Sequence, residues 1–224
     1  VLLGFSITFQ VASQTHEEAF DGSFLLQTGE IITGGYFVEG AKGHFLYMDT
    51  EKLTKGGLFE RTGDTMFRSV IPAGAIEITF VASKKGILDS LIWQEQGQKT
   101  VTGQRLYPHR YQTINITSTD GTSLGGRLLL PDCPGPHPVI VSVHGSGPVN
   151  RYGGPYHTFF LQHGIAVLAY DKRGYTTDTK TWQEPNLAVL SNDAIAAVKL
   201  AASHAEIDTH RFGIFGSSQA RWVV

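Results

Sequence analysis

The pattern of apolar and polar residues divides the chain into two unlike halves. From about residue 20 to 105, short apolar runs rich in aromatic and β-branched residues alternate with Gly-rich turns, as in GGYFVEG at 34–40. Such runs, with turn signals every 8–12 residues or so, are typical of short β-strands. No helical period is sustained there. We therefore expect a small all-β domain, a roll or a partial barrel, over residues 14–111.

The second half, residues 112–224, has continuous apolar runs separated by helical segments. Two strands, 113–118 and 126–130, are predicted to flank a turn at 119–121. Helical spacing of apolar residues predicts a helix over 193–203, with Ser191 or Asn192 as its N-cap. The remaining apolar runs, which read as buried strands, lie at 138–143, 166–170 and 212–215. Buried strands alternating with helices predict a mostly parallel sheet with flanking helices.

Residues 1–13 resemble the remnant of a secretory signal, because they are apolar and uncharged and the QTHEE segment at 14–18 is abruptly polar. The alternative is that these residues form the first strand of the domain. The signal interpretation predicts a secreted or periplasmic protein.

Composition excludes several classes of protein. The chain has 224 residues, of which 41% are hydrophobic and 17% charged, with a net charge of −2. These values are typical of a globular protein and show no basic stripe that would bind nucleic acid. No apolar run is long enough to cross a membrane. The single cysteine, Cys133, predicts neither an internal disulfide nor a metal site, and we expect no cofactor.

The segment GIFGSSQA at 213–220 carries the clearest chemistry. An apolar strand ends at Gly216, Ser218 lies at the turn, and a helix is predicted to begin at Gln219. This spacing is that of a nucleophile elbow, G-x-S-x-G, with Ala220 in the last place. The elbow predicts Ser218 as a nucleophile and places the Gln219 backbone N–H where an oxyanion forms.

Two further motifs lie upstream in the same half. HGSGP at 144–148 follows a predicted strand, and its glycines allow the backbone to approach a substrate carbonyl. We predict the N–H of Ser146, or of its neighbour Gly145, as the second oxyanion donor, and we interpret His144 as a structural residue. The third motif is YDKRG at 170–174, which also follows a predicted strand.

These three motifs, in this order, resemble the α/β-hydrolase superfamily. They are most similar to its dienelactone-hydrolase-like and serine-aminopeptidase-like branch, over roughly residues 113–224. The resemblance implies a serine hydrolase acting on ester or peptide bonds. Ala220 and Arg221 depart from the Gly-Gly usual in that branch. Arg221 is expected either to point outward, to disturb the packing, or to meet an anionic substrate group at the mouth of the site.

The resemblance also implies an acid and a histidine after the serine in chain order. Only six residues follow Ser218, and none is Asp, Glu or His. We therefore expect the chain to be the front part of a longer enzyme, and to hydrolyse nothing efficiently by itself. Three aromatic residues are weaker candidates for the wall of an acyl pocket: Tyr152, Phe159 and Trp182.

Two other functions remain open at this stage. In the first, the protein binds an apolar ligand in its β domain and the hydrolase half is a scaffold without a triad. In the second, it binds a nucleotide, although no G-x-G-x-x-G or P-loop pattern is present. The predicted partner of the hydrolase is a small-molecule ester or peptide substrate.

Overall fold

The computed structural model describes residues 18–39, 42–49, 56–84, 86–106, 109–152, 155–175 and 182–224. The signal interpretation of residues 1–13 falls outside them. Within the described residues, no helix combines the length and the apolar character that a membrane span requires.

Eight antiparallel strands form a closed barrel, in which β1 pairs with both β2 and β8. The strands are β1 (Gly22–Leu26), β2 (Ile31–Glu39), β3 (Lys42–Asp49), β4 (Gly56–Arg61), β5 (Met66–Ile71), β6 (Ala73–Ala82), β7 (Leu88–Glu95) and β8 (Val101–Leu106). Apart from β1 and β8, the neighbouring strands are consecutive in sequence, which favours antiparallel pairing. The barrel is therefore closed, where the sequence predicts a roll or a partial barrel.

Aromatic side chains fill the barrel interior. Phe20, Phe45, Phe67 and Phe80 are at most 2% exposed, and ring centroids within this group lie 4.9–5.8 Å apart. Edge-to-face packing of this kind stabilises a core beyond the burial of area alone. The described core of the barrel is thus an aromatic cluster formed by the protein's own side chains.

The second half of the chain forms a five-stranded mixed sheet in the order β13-β11-β12-β10-β9. The strands are β9 (His109–Thr117), β10 (Ser123–Pro131), β11 (His137–Val143), β12 (Ala166–Tyr170) and β13 (Ile207–Gly216). Strand β11 is parallel to β12 and β13, whereas β10 is antiparallel to β12 and β9. The prediction of a mostly parallel sheet with flanking helices is therefore wrong, because two of the four strand pairings are antiparallel.

The described residues contain only two α-helices, α1 (Pro155–Gln162) and α2 (Leu187–Ala202). This is fewer than a parallel sheet with flanking helices would have. The physical reason for the error is that a continuous apolar run reports burial on both faces of a strand but not strand direction. The turn at 119–121 closes tightly, with Gly121 at φ +83°, and so forces β9 and β10 to be antiparallel.

Helix α2 begins earlier than the sequence predicts. The true N-cap is Asn186, whose side chain accepts a hydrogen bond from the Val189 N–H at 2.9 Å, so neither Ser191 nor Asn192 caps the helix. The apolar spacing within 193–203 predicts Ala194, Ile195 and Val198 on one buried face, but Ile195 is 47% exposed and Ala197 is buried instead. Starting the helix at Leu187 adds a turn whose Leu190 joins the core.

The two helices pack on opposite faces of the sheet. Leu128 and Leu168 join the core beneath α2, whereas their neighbours Leu129 and Val167 pack with Leu161 of α1. Side chains alternate across a strand, so these adjacent residues must face opposite ways. Both faces of β10 and β12 are therefore buried, and the carboxyl ends of β11, β12 and β13 are left to carry loops.

A buried ion pair joins the barrel to the sheet. Arg127 of β10 donates to Asp21 at 2.9 Å, with side chains 2% and 8% exposed. The same carboxylate accepts the Tyr36 N–H of the barrel at 2.7 Å. Ser23 of β1 donates to Gln162 of α1 at 2.9 Å, so the contact has a second polar link.

Candidate functional site

The turn after β13 has the backbone geometry of a nucleophile elbow. Ser217 is extended, Ser218 has φ +56°, and a 3-10 turn, Ser218–Trp222, follows at once. Among the described residues, Ser218 alone has positive φ without being glycine. A left-handed serine between a strand and a helical turn is a strained arrangement that presents its exposed side chain at the end of the sheet.

Small residues on either side of Ser218 make this turn possible. A Cβ at Gly216 would overlap the Cβ of Ala220 and lie 2.8 Å from the Val143 carbonyl oxygen. Ala220 is fully buried and its N–H donates to the Ser217 carbonyl at 3.1 Å. The alanine that departs from the usual glycine therefore fits, whereas position 216 accepts glycine alone.

Arg221 points outward, which was one of its expected placements. It is exposed, and its guanidinium lies 4.7 Å from the centre of the Trp222 ring. The elbow packing is consequently undisturbed by the long side chain. The segment is a 3-10 turn beginning at Ser218, in place of the helix that the sequence predicts from Gln219.

The loop after β11 approaches the elbow closely. A Cβ built on Gly145 would lie 3.5 Å from the Ser217 carbonyl oxygen and 3.8 Å from the Ser218 Cβ. Ser146 follows in this loop and is exposed. The structure thus brings Gly145, Ser146, Ser218 and Gln219 to one end of the sheet, since β11 and β13 are parallel neighbours that end together.

A cavity of about 470 Å³ opens beside this loop and the elbow. Its wall includes Gly145, Gly216 and Ser217 together with a group of aromatic and polar side chains: Asn150, Tyr152, Tyr156, His157, Tyr170, Tyr175 and Phe215. Of the three aromatic candidates, Tyr152 alone is in the wall. Phe159 instead packs on Phe160, and Trp182 lies over Lys172.

Two histidines beside the cavity are held neutral. Burial, only partly offset by a hydrogen bond with the Tyr170 carbonyl, lowers the pKa of His144 to about 4. Burial also lowers the pKa of His157 to about 3, with the nearby Arg127 adding to the effect. The His157 Nε2 pairs with the Ser142 hydroxyl at 3.0 Å. Neither histidine hydrogen-bonds Ser218, and no described side chain does.

We expect the protein to lose stability in mild acid through His157. The folded pKa is about 3, below the ordinary 6.5, so only the unfolded chain binds the proton in between. The free energy of unfolding therefore falls as pH drops from 6.5 toward 3. By this linkage His157→Gln should reduce the loss between pH 7.5 and pH 5 by about 1–2 kcal/mol.

Urea unfolding at the two pH values measures this difference. The same substitution at the exposed His210 is the control for removing a histidine from the chain. Identical pH dependence in the two variants would contradict the assignment to His157.

A cluster that sequence reasoning missed lies under the loop and the elbow. The Lys172 ammonium donates to the Gly145 carbonyl and to the Gln219 Oε1, both at 2.8 Å. It also forms an ion pair with Glu184, which accepts the Gly147 N–H at 3.0 Å. The motif at 170–174 places a lysine there, but sequence gives no signal that a lysine is buried. Among the described residues, no group of His, Cys, Asp or Glu is arranged to bind a metal ion.

No family model matches the chain. The chain is similar to the thiohydrolase aneE of Aspergillus aculeatus, with 30% identity over 110 residues that cover 48% of this chain and 34% of that protein. It thus spans about a third of the length of this curated relative.

Solved structures of esterases are similar over part of the chain. Esterase Est22 is 23% identical with a TM-score of 0.42, and the match covers 48% of this chain and 35% of that one. A bacterial heroin esterase is 25% identical with a TM-score of 0.40, covering 50% and 36%. These scores are too low to establish a shared fold.

Proposed function

We propose that the chain carries the nucleophile of a serine hydrolase, with Ser218 attacking the carbonyl carbon of an ester, thioester or peptide. The observation that carries this proposal is the left-handed Ser218 between β13 and the 3-10 turn, with the Gly145 loop against it. A serine held in that conformation costs conformational energy, and residues strained in this way cluster at active sites. The similarity to an Aspergillus thiohydrolase supports hydrolysis, and for this reason we include thioesters among the candidate substrates.

The proposed reaction follows the acyl-transfer scheme. The Ser218 Oγ bonds to the substrate carbonyl carbon while its proton passes to a general base. The N–H groups of Gln219 and of Ser146, or of its neighbour Gly145, stabilise the tetrahedral oxyanion. The intermediate then collapses, the leaving group departs with the proton, and water releases the acyl group from Ser218 by the same steps. No cofactor takes part in this scheme.

The cavity beside the elbow is the proposed acyl pocket. Among the described residues that line it, none is Asp, Glu, Lys or Arg, and its two histidines are neutral at pH 7. A charged acyl group would lose its hydration there without meeting an opposite charge. Aromatic faces and hydroxyls instead favour an uncharged, ring-containing acyl group of a size that fits about 470 Å³.

A fluorophosphonate probe tests the nucleophile directly. We expect the probe to label the full-length gene product, and mass spectrometry of the digest to place the adduct on Ser218. Ser123→Ala is the control, because Ser123 is an exposed serine at the start of β10 and lies outside the cavity wall. This variant should keep its label. An adduct on Ser217, or no adduct in correctly folded protein, would contradict the proposal.

Two broader interpretations stay proposals beside this one. The first is export from the cytoplasm, which rests on residues 1–13 of the sequence. The second is that residues 14–111 form an accessory domain and residues 112–224 the hydrolase part.

A further inference from the structure

Lys172 is the most deeply buried cation near the elbow, with a side chain that is 0% exposed. An ammonium has three N–H donors and no acceptor. Here it has three polar partners on three segments: the Gly145 carbonyl, the Gln219 side chain and the Glu184 carboxylate. The Trp182 ring covers it at 5.2 Å from Nζ to the ring centre.

Burying an ammonium is costly, and an apolar side chain of similar volume often gives equal or better stability. The presence of a buried lysine here is therefore best explained by its positioning of the Gly145 carbonyl and the Gln219 side chain. Glu184 completes the arrangement. Partial burial opposes its ionisation, but hydrogen bonds from Lys172 and the Gly147 N–H outweigh that effect and lower the pKa of the carboxyl.

The bond to the Gly145 carbonyl fixes more than one atom. The Gly145 C=O and the Ser146 N–H belong to one planar trans peptide unit, so they point in opposite directions. Anchoring the oxygen on Lys172 thus sets the direction of the Ser146 N–H. The next N–H along the loop, that of Gly147, is already engaged by Glu184 at 3.0 Å.

On the other side, Lys172 holds the side chain of Gln219 at 2.8 Å. Gln219 follows Ser218 directly, and its own backbone N–H is the other proposed oxyanion donor. One buried ammonium therefore connects the peptide unit of the Ser146 N–H to the side chain of Gln219, the residue that carries the other donor. The backbone of Lys172 is fixed as well, because its N–H donates to the Val149 carbonyl at 2.9 Å.

We propose that Lys172 is a positioning residue that holds the Ser146 and Gln219 N–H groups in register around the oxyanion, through its bonds to the Gly145 carbonyl and the Gln219 side chain. This inference rests on the proposed serine-hydrolase function. Lys172 touches no reacting atom and acts through the two backbone donors.

Lys172→Met in the full-length gene product tests the inference, since methionine keeps the volume and loses the three donors. Loss of one oxyanion donor costs about 10²–10³ in kcat, so loosening both should lower kcat by about 10–100-fold. KM for a p-nitrophenyl ester should change by less than about threefold, because ground-state binding does not use the oxyanion donors. Affinity for a boronic acid, which mimics the tetrahedral oxyanion, should fall by the same factor as kcat.

Two further variants keep the test decisive. Lys199→Met removes an exposed lysine of α2 and should leave kcat unchanged. If Lys172→Met does not fold, Gln219→Leu takes its place, because it removes one partner of the ammonium and keeps the backbone N–H. We expect a drop in kcat of about tenfold, again with KM preserved.

Amide hydrogen exchange supplies a readout that is independent of turnover. Exchange in the peptide covering 144–150 should accelerate at least tenfold in Lys172→Met, whereas barrel peptides should exchange as in the wild type. Unchanged exchange, or a kcat within twofold of wild type, would overturn the inference. Failure of the proposed function is separate, because it shows as an active Ser218→Ala enzyme whatever Lys172→Met does.

Discussion

Ser218→Ala is expected to lower kcat/KM of the full-length gene product for a p-nitrophenyl ester by about 10⁴-fold or more. Acyl transfer requires a nucleophile, and without it only the oxyanion donors and substrate binding accelerate the reaction. Ser218, which has φ +56°, is exposed, and its Oγ is the atom that is proposed to attack the carbonyl carbon. KM should stay within a few-fold, because the substitution removes no part of the cavity wall.

Stopped-assay measurement of initial rates determines both constants. Ser123→Ala is again the control, because it removes an exposed hydroxyl outside the cavity wall, and it should remain within about threefold of wild type. Alanine at 218 is also compatible with folding, although the left-handed conformation is strained for it. Thermal melts of the two variants therefore separate loss of the nucleophile from loss of structure. Residual activity above about 1% in folded Ser218→Ala would rule out Ser218 as the nucleophile.

Asp193→Asn is expected to destabilise the protein by about 3 kcal/mol or more. Asp193 is fully buried in α2 and accepts two hydrogen bonds from Arg173, at 2.5 and 3.0 Å, and one from Ser118 at 2.5 Å. The hydrogen bonds from Arg173 to Asp193 raise the pKa of the Arg173 guanidinium above its usual value. Arg173 keeps its ion pair with the exposed Asp120, so the cost comes from weakening its two charge-assisted hydrogen bonds to Asp193, each of which contributes about 1.5–3 kcal/mol.

Urea unfolding measures the change as a lower midpoint at an unchanged slope. Glu77→Gln is the matched control, because Glu77 pairs with Arg68 on the surface, with side chains 43% and 61% exposed. Exposed pairs contribute at most about 1 kcal/mol, so this control should remain near wild type. Equal effects of the two substitutions would show that the buried network does not hold the sheet and α2 together.

The candidate site was more predictable from sequence than the fold. A nucleophile elbow is a local feature, because Gly216, Ser218 and Ala220 all lie in one short turn. The turn needs small residues on either side of the serine, and their fixed spacing is visible in the sequence. The placement of Gly145 beside Ser218 follows from two parallel strands that end at the same edge. Local sterics and one strand pairing therefore account for most of what the motifs predict.

Strand direction and burial of charge are not local properties. The apolar run of β12 reads the same whether its partner is parallel β11 or antiparallel β10. Likewise, nothing in the sequence distinguishes Lys172, with an ammonium fully enclosed, from an exposed lysine of a surface loop. Both depend on segments far apart in the chain, and this is why the fold prediction failed while the elbow prediction located a real turn.

The Asp21–Arg127 pair has a consequence for how the chain folds. The guanidinium belongs to β10 of the sheet and the carboxylate to the residue directly before β1 of the barrel, and both are almost completely buried. Neither unit can reach its full stability before the other is present, because each supplies the countercharge for a group that the other has removed from water. We therefore expect barrel and sheet to unfold in a single cooperative transition, and residues 112–224 alone to be less stable because the buried Arg127 of β10 would lose this countercharge.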